Sequence, residues 1–200
     1  MKVVSNYNSK LWKLGAIVIA TILLLSSISL VTATQGSKEN TLNDYTFDIN
    51  KMDSSGIDID VSLENFEKFI SKGGGKTYNQ LKVKNCGYTA DYGKAELPII
   101  SFYIAVPQDA EIDLTYEISN PVILHNYNIY PSQPPKPETD GYVDPPFTIN
   151  ESFYQTNEYY PSSVVEYRPV MIMRGCRIAM LTVFPILYNP VTSNLKIYES

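Results

Sequence analysis

Histidine and cysteine are nearly missing from this chain: His125, Cys86 and Cys176 are all it has. Three such side chains do not complete a structural zinc site, which needs a fourth ligand, here a carboxylate. A Cys–His nucleophile pair requires the two side chains within hydrogen-bond reach, and neither cysteine sits in a recognisable nucleophile context. His125 lies in Val122-Ile123-Leu124-His125-Asn126, an ordinary strand pattern, and reads as a packed residue. Basic residues are also scarce, with 16 Lys+Arg against 21 Asp+Glu and no basic stripe, which excludes a nucleic-acid footprint. Gly73-Gly74-Gly75 lacks the spaced glycine and Lys-Ser/Thr of a phosphate loop and reads as a linker. Asp58, Asp60 and Glu64 lack the spacing of an EF-hand loop, so Asp58 and Asp60 read as the wet face of a strand. The sequence therefore implies no cofactor, no metal and no catalytic residues of its own.

One long stretch has no charge at all. Lys2, Lys10 and Lys13 precede Leu14–Leu30, whose apolar core runs through Ile17, Val18, Ile19, Ile22, Leu23, Leu24 and Leu25, and Val31-Thr32-Ala33 then supplies small residues. This is the layout of a helical secretory signal peptide over residues 1–33, cut between Ala33 and Thr34. The rival reading is an uncleaved anchor, since Leu14–Val31 is just long enough to span a bilayer. Either way the remainder lies outside the cytoplasm, secreted or at the cell surface; with the signal cut, it meets a membrane only during export. About 167 residues remain, with 13 basic against 21 acidic side chains and so a net charge of −8. That length suffices for one real core.

The remainder, after a loose polar leader over 34–44, alternates apolar and polar residues. Tyr45–Ile49 and Ile57–Leu63 show period two, and Tyr78–Lys84, Ile99–Val106, Glu111–Ser119, Val122–Tyr130, Val164–Arg174, Arg177–Pro185 and Leu195–Tyr198 are further strand candidates separated by Gly, Pro, Asn and Asp. In Glu111–Ser119, Ile112, Leu114, Tyr116 and Ile118 fall on one face. Phe66, Phe69 and Ile70 are spaced for a helical turn over 64–71, Ser152 is placed to cap a short helix ended by Pro161, and the polar turn Asn189–Asn194 predicts a hairpin joining the last two strands. Such spacing with little helix predicts an all-β antiparallel sandwich or jelly roll over 45–200. Sixteen tyrosines suit a sheet with one exposed face, or a contact surface.

Residues 131–147 break the strand rhythm, because six of the thirteen prolines lie there. Proline supplies no ladder donor, so this is a surface excursion stiffened toward polyproline II. Excursions of this length in compact domains tend to be functional or disordered. Cys86 and Cys176 either pair in an oxidising compartment, which would contribute roughly 4–5 kcal/mol through loop closure, or remain two thiols. Asn150-Glu151-Ser152 is the one glycosylation acceptor pattern. Arg168, Arg174 and Arg177 form a small basic cluster that pairs with surface carboxylates or docks a partner.

Gly93-Lys94-Ala95-Glu96-Leu97-Pro98, Ile104-Ala105-Val106-Pro107, Glu158-Tyr159-Tyr160-Pro161, Arg174-Gly175, Phe184–Pro190 and Leu195-Lys196-Ile197-Tyr198 occur in that order. Over roughly 91–199 this ordered set resembles the propeptide of gingipain-like cysteine peptidases of peptidase family C25. The resemblance implies a β-sandwich or jelly-roll domain in a secreted zymogen, which covers the cleft of a caspase-like cysteine endopeptidase domain, acts as its intramolecular inhibitor and folding aid, and is removed on maturation. That catalytic domain would be the partner, in cis if the reading frame continues past a domain truncated at its C-terminus, otherwise in trans. In that family an extended loop presents a basic residue to the specificity pocket, and Lys136, flanked by Pro135 and Pro137, occupies such a place here. The alternatives are a free-standing secreted adhesion or binding sandwich that uses its tyrosines, and an enzyme using His125 with Cys86 or Cys176.

Overall fold

The computed structural model describes residues 2–6, 44–53, 55–136, 143 and 145–199. The apolar leader Leu14–Val31, the Ala33–Thr34 cleavage site, residues 34–43 and Pro137 lie outside the described residues. The described chain is almost entirely antiparallel strand with one four-residue helix, as the sequence predicts.

One sheet has the order β2 (Tyr45–Asp53), β3 (Gly56–Leu63), β1 (Lys2–Asn6), β8 (Asp113–Glu117). A second has the order β10 (Val165–Met173), β11 (Cys176–Val183), β7 (Pro98–Val106), β6 (Gly87–Tyr88). Period two decides how they meet. Ile57, Ile59 and Val61 on one face of β3 are buried against Ile100, Val165, Leu181 and Val183 of the second sheet. Asp58, Asp60 and Ser62 alternate with them and stay half-exposed. β1 sits between β3 and β8, so a segment whose composition reads as the start of an export leader also supplies a central strand.

A second core lies under β12 (Ile186–Asn189), β13 (Asn194–Ile197) and β9 (Val122–Leu124), where Ile186, Tyr188, Leu195 and Ile197 pack with Leu63, Leu81, Leu97 and Ile129. The hairpin around Asn189–Asn194 forms, but its first arm is β12. β11 instead lies between β10 and β7. Pro185, with no amide to donate, falls between β11 and β12 and lets the chain change sheets.

The helical turn over 64–71 does not form. That region is β4 (Glu67–Gly73), paired with β5 (Lys76–Lys82) through Gly74 (φ 54°) and Gly75 (φ 76°). Two successive left-handed residues make the two-residue turn whose twist matches a hairpin. Tyr78 and Leu81 of β5 are buried, while Phe69 and Ile70 of β4, the outer strand of this ribbon, are exposed. The two other long candidates shorten to β8 and β9, and Asn126 (φ 63°) ends the latter's extended run. The predicted short helix is α1 (Glu151–Tyr154), but its cap is Asn150, whose side chain accepts from the Phe153 amide. Ser152 lies inside the helix. Asp44, the last residue of the expected loose leader, is buried: its backbone carbonyl accepts from Glu64 and Asn65, and its carboxylate accepts from the Lys84 amide at 2.8 Å.

Candidate functional site

The proline-rich excursion leaves the second core after Ile129 and returns into α1. Its two ends are tied together by residues with no local sequence pattern. The Ser132 amide donates to the Lys94 carbonyl at 2.7 Å, and the Gly93 amide donates to the Ser132 carbonyl at 2.8 Å. The Gly93 carbonyl then accepts from the Asn150 amide at 2.9 Å, so one glycine bridges outgoing and returning strands. Only glycine fits there. Its φ is +83°, and a Cβ would lie 2.8 Å from the Asn150 nitrogen.

Gln133 makes the second tie. Its Nε2 donates to the Pro131 and Thr148 carbonyls, each at 2.8 Å, and its Oε1 accepts from the Thr148 amide at 2.8 Å. Phe147 makes the third. Its ring packs against Tyr78 (centroids 5.8 Å apart) and Tyr130 (5.6 Å), which meet each other edge-on at 5.7 Å. The same ring covers the hairpin turn of β4 and β5, where a Cβ at Gly73 would lie 2.1 Å from Phe147 Cε2. The glycine run that reads as a linker is thus a tight turn and the floor of an aromatic clamp.

Pro131 and Ser132 are buried, Gln133 and Pro134 are half-buried, and Pro135 and Lys136 are exposed. The arrangement offers one cation on a proline-stiffened arm, with both feet fixed about 15 residues apart in sequence. Beside the base, Lys94 Nζ binds Asp91 at 3.0 Å and lies over the Tyr160 ring, whose hydroxyl donates to the same carboxylate at 3.1 Å. The Lys94 hydrogen bond, opposed by burial and aided by Tyr160, holds the Asp91 carboxyl below its ordinary range. Burial pushes the Tyr160 phenol well above its ordinary value, with the Asp91 charge adding to the shift. Burial also raises the Tyr154 phenol, which donates to the Ile129 carbonyl at 2.7 Å just before the excursion begins.

The other candidate residues lie elsewhere. His125 is exposed and its Nδ1 is 2.7 Å from Asn194 Oδ1, whereas Cys86 Sγ donates to the Val83 carbonyl at 3.2 Å. Neither bond joins the imidazole to a sulfur. Both cysteines are free thiols: Cys86 is half-buried between the two cores, and Cys176 is exposed at the start of β11. Burial raises the Cys86 thiol above its ordinary value, the opposite of what a nucleophile needs. Among the described residues no three His, Cys, Asp or Glu side chains are grouped to hold a metal. Of the three arginines, Arg177 is half-buried and, among the described residues, has no carboxylate ion pair. Its guanidinium donates to the carbonyls of Pro107, Gln108 and Ala110 and pins the turn after β7. Arg174 (φ 50°) and Gly175 (φ 81°) make the turn of the β10–β11 hairpin, and Arg168 lies exposed on β10. The Asn150 side chain is occupied as the helix cap and also accepts from Ser152 Oγ at 2.8 Å.

Comparison with known proteins gives a consistent likeness. The family model Propeptide_C25 matches residues 49–200. Lys-gingipain of Porphyromonas gingivalis is 27% identical over 135 residues, 65% of this chain and 8% of that protein. Gingipain R1 of the same organism is 28% identical over 109 residues, 54% of this chain and 11% of that protein. The chain thus spans only a small part of the relatives it matches. Among solved structures, a complex of Porphyromonas gingivalis RgpB pro- and mature domains superposes with a TM-score of 0.66 at 18% identity, covering 76% of this chain and 80% of that one. A structure described as giving insight into the zymogenic latency of gingipain K from Porphyromonas gingivalis superposes at 0.60 with 22% identity, covering 78% and 88%.

Proposed function

The chain belongs to the Propeptide_C25 family, and from that premise we propose that it is the exported pro-region of a gingipain-like cysteine endopeptidase, inhibiting that enzyme and assisting its folding. The observation that carries this reading is the clamped excursion. Gln133 and Gly93 tie its two ends together and Phe147 packs the returning end against Tyr78 of β5, while Lys136 stands exposed between prolines. An inhibitor needs an extended segment that is ordered before it docks, because each rotamer-rich residue immobilised on binding costs roughly 0.5–1.5 kcal/mol. Prolines at 134, 135 and 137 reduce that cost. In this reading Lys136 enters the specificity pocket of the peptidase as a substrate side chain would. The following proline disfavours cleavage of its bond, because the substrate backbone there has no amide to offer. The partner is the catalytic domain of a C25 cysteine peptidase, and residues 1–33 direct export and are then removed between Ala33 and Thr34.

The test is inhibition of a C25 cysteine peptidase by the exported protein. The wild type inhibits at stoichiometric concentrations, and Lys136→Ala weakens inhibition roughly 30-fold or more, the loss typical of a central anchor residue. Absence of inhibition by the wild type refutes the propeptide role. Equal inhibition by Lys136→Ala refutes the assignment of the loop.

A further inference from the structure

β1 is joined to the sheet on both sides. Val3 pairs with Ile59 of β3 and with Tyr116 of β8, and Lys2 holds the position between Asp60 and Glu117. Among the described residues β8 has no other strand partner. Residues directly opposed in an antiparallel ladder share a face. The positions of Ile59 and Ile57 therefore define an inner face that meets the core, and those of Asp60 and Glu117 define an outer one. On the outer face Asp48 of β2 lies opposite Asp60. The row across the sheet is thus Asp48, Asp60, the β1 position, Glu117. Asp48, Asp60, Glu64, Glu117 and Glu199 line one groove of about 810 Å³.

That row breaks a local rule. Like charges directly opposed on neighbouring strands are destabilising. Asn50 Nδ2 donates to Asp60 Oδ2 at 2.6 Å, but a cation at the β1 position is what offsets the repulsion along the row, and Lys2 is the residue at that register position. Removal of the export leader takes this strand away. Strands lie about 4.8 Å apart, so a gap of about 10 Å then separates β3 from β8, with two open edges. Closing the gap by direct pairing would bring Asp60 toward Glu117 and add a second like-charge pair to the row.

We propose that the gap between β3 and β8 is a strand-binding site. Lys2–Asn6 fills it while the leader is attached, and afterwards it takes an extended segment of a partner polypeptide running antiparallel to both edges. The occupant carries lysine or arginine at the position facing Asp60 and Glu117 and an apolar, β-branched residue at the position facing Ile59. The proposal rests on the export reading and on leader removal. It is independent of Lys136, which lies on the excursion.

The experiment uses the exported protein and a synthetic peptide of residues 1–8. N-terminal sequencing comes first: a protein that retains its leader refutes leader removal, and this proposal with it. With the leader gone, backbone hydrogen exchange at 56–60 and 113–117 is fast, and the peptide slows it at least tenfold on both strands. A Lys2→Glu peptide binds roughly fivefold more weakly, as the reversal of cross-strand charge pairs implies. An Asp60→Lys protein reverses that preference. Slow exchange at both strands before any peptide is added, whether through closure of the gap or through a second copy of the chain, overturns the proposal. So does exchange that the peptide leaves unchanged.

Discussion

Gly73 offers a clean perturbation of the clamp under the excursion. Its φ lies outside the left-handed region, so alanine there meets no backbone strain of its own. The obstacle is the Phe147 ring, whose Cε2, Cζ and Cδ2 would lie 2.1, 2.6 and 2.8 Å from the new methyl. All three are closer than carbon atoms approach, so the ring must move. Moving it sacrifices two aromatic contacts, with Tyr78 and Tyr130, each worth about 0.5–1.5 kcal/mol beyond burial. Against that, replacing a strand glycine by alanine recovers about 0.5–1 kcal/mol of chain entropy. The expected net cost is about 1–2 kcal/mol, measured by urea denaturation. In a Phe147→Ala background the obstacle is gone, and Gly73→Ala becomes neutral or mildly stabilising. The coupling between the two positions is therefore expected to be about 1–3 kcal/mol, within the range for residues in contact. Inhibition of a C25 peptidase should weaken for Gly73→Ala by more than the change in the folded fraction explains, because the displaced ring releases the returning foot of the loop. A cost that is the same in both backgrounds would refute the clamp.

Two further expectations concern groups whose surroundings shift their chemistry. Glu96 is half-buried and its carboxyl is raised by burial, opposed by Gln80. A carboxylate raised in the folded state costs stability above its folded pKa and none once pH falls below its unfolded value. Glu96→Gln therefore raises the midpoint of thermal unfolding at pH 7, and the gain disappears as pH is lowered below about 4; a gain that persists at pH 3 contradicts the assignment to ionisation. Thiol titration of the native protein should find two reactive groups, a fast one at exposed Cys176 and a slow one at Cys86, whose thiol is half-buried, hydrogen-bonded to Val83 and raised in pKa. Finding none would mean that the two are bridged.

Much of the sheet was legible because alternation is a local signal. Ile57, Ile59, Val61 and Leu63 declare a half-buried strand in sequence, and all four are buried. The misread element, β4, failed for an equally local reason. Phe66, Phe69 and Ile70 fit a helical face as well as an exposed ribbon, and only the pairing with β5 decides between them. That pairing depends on two consecutive left-handed glycines, a conformation that composition alone does not reveal. At α1 both Asn150 and Ser152 are good caps. Asn150 wins because its oxygen reaches the Phe153 amide at 3.0 Å while Ser152 already has helical neighbours. The excursion announced itself through its prolines, and Lys136 through its isolation among them. The residues that hold it in place did not. Gln133 meets Thr148, Gly93 meets Asn150 and Phe147 meets Gly73 across separations that leave no periodic trace. Arg177 was misjudged for the same reason. Its partners are backbone carbonyls nearly seventy residues away, and no charge count reveals them.

The account stands on the claim that the excursion between Gln133 and Thr148 occupies the cleft of the peptidase. The direct measurement places a photo-reactive lysine analogue at position 136, forms the complex with a C25 cysteine peptidase, and identifies the cross-linked peptides by mass spectrometry. Cross-links to the peptides that carry the enzyme's catalytic cysteine and histidine are the predicted result. A complex that forms but cross-links position 136 only to surfaces away from that cleft would contradict it.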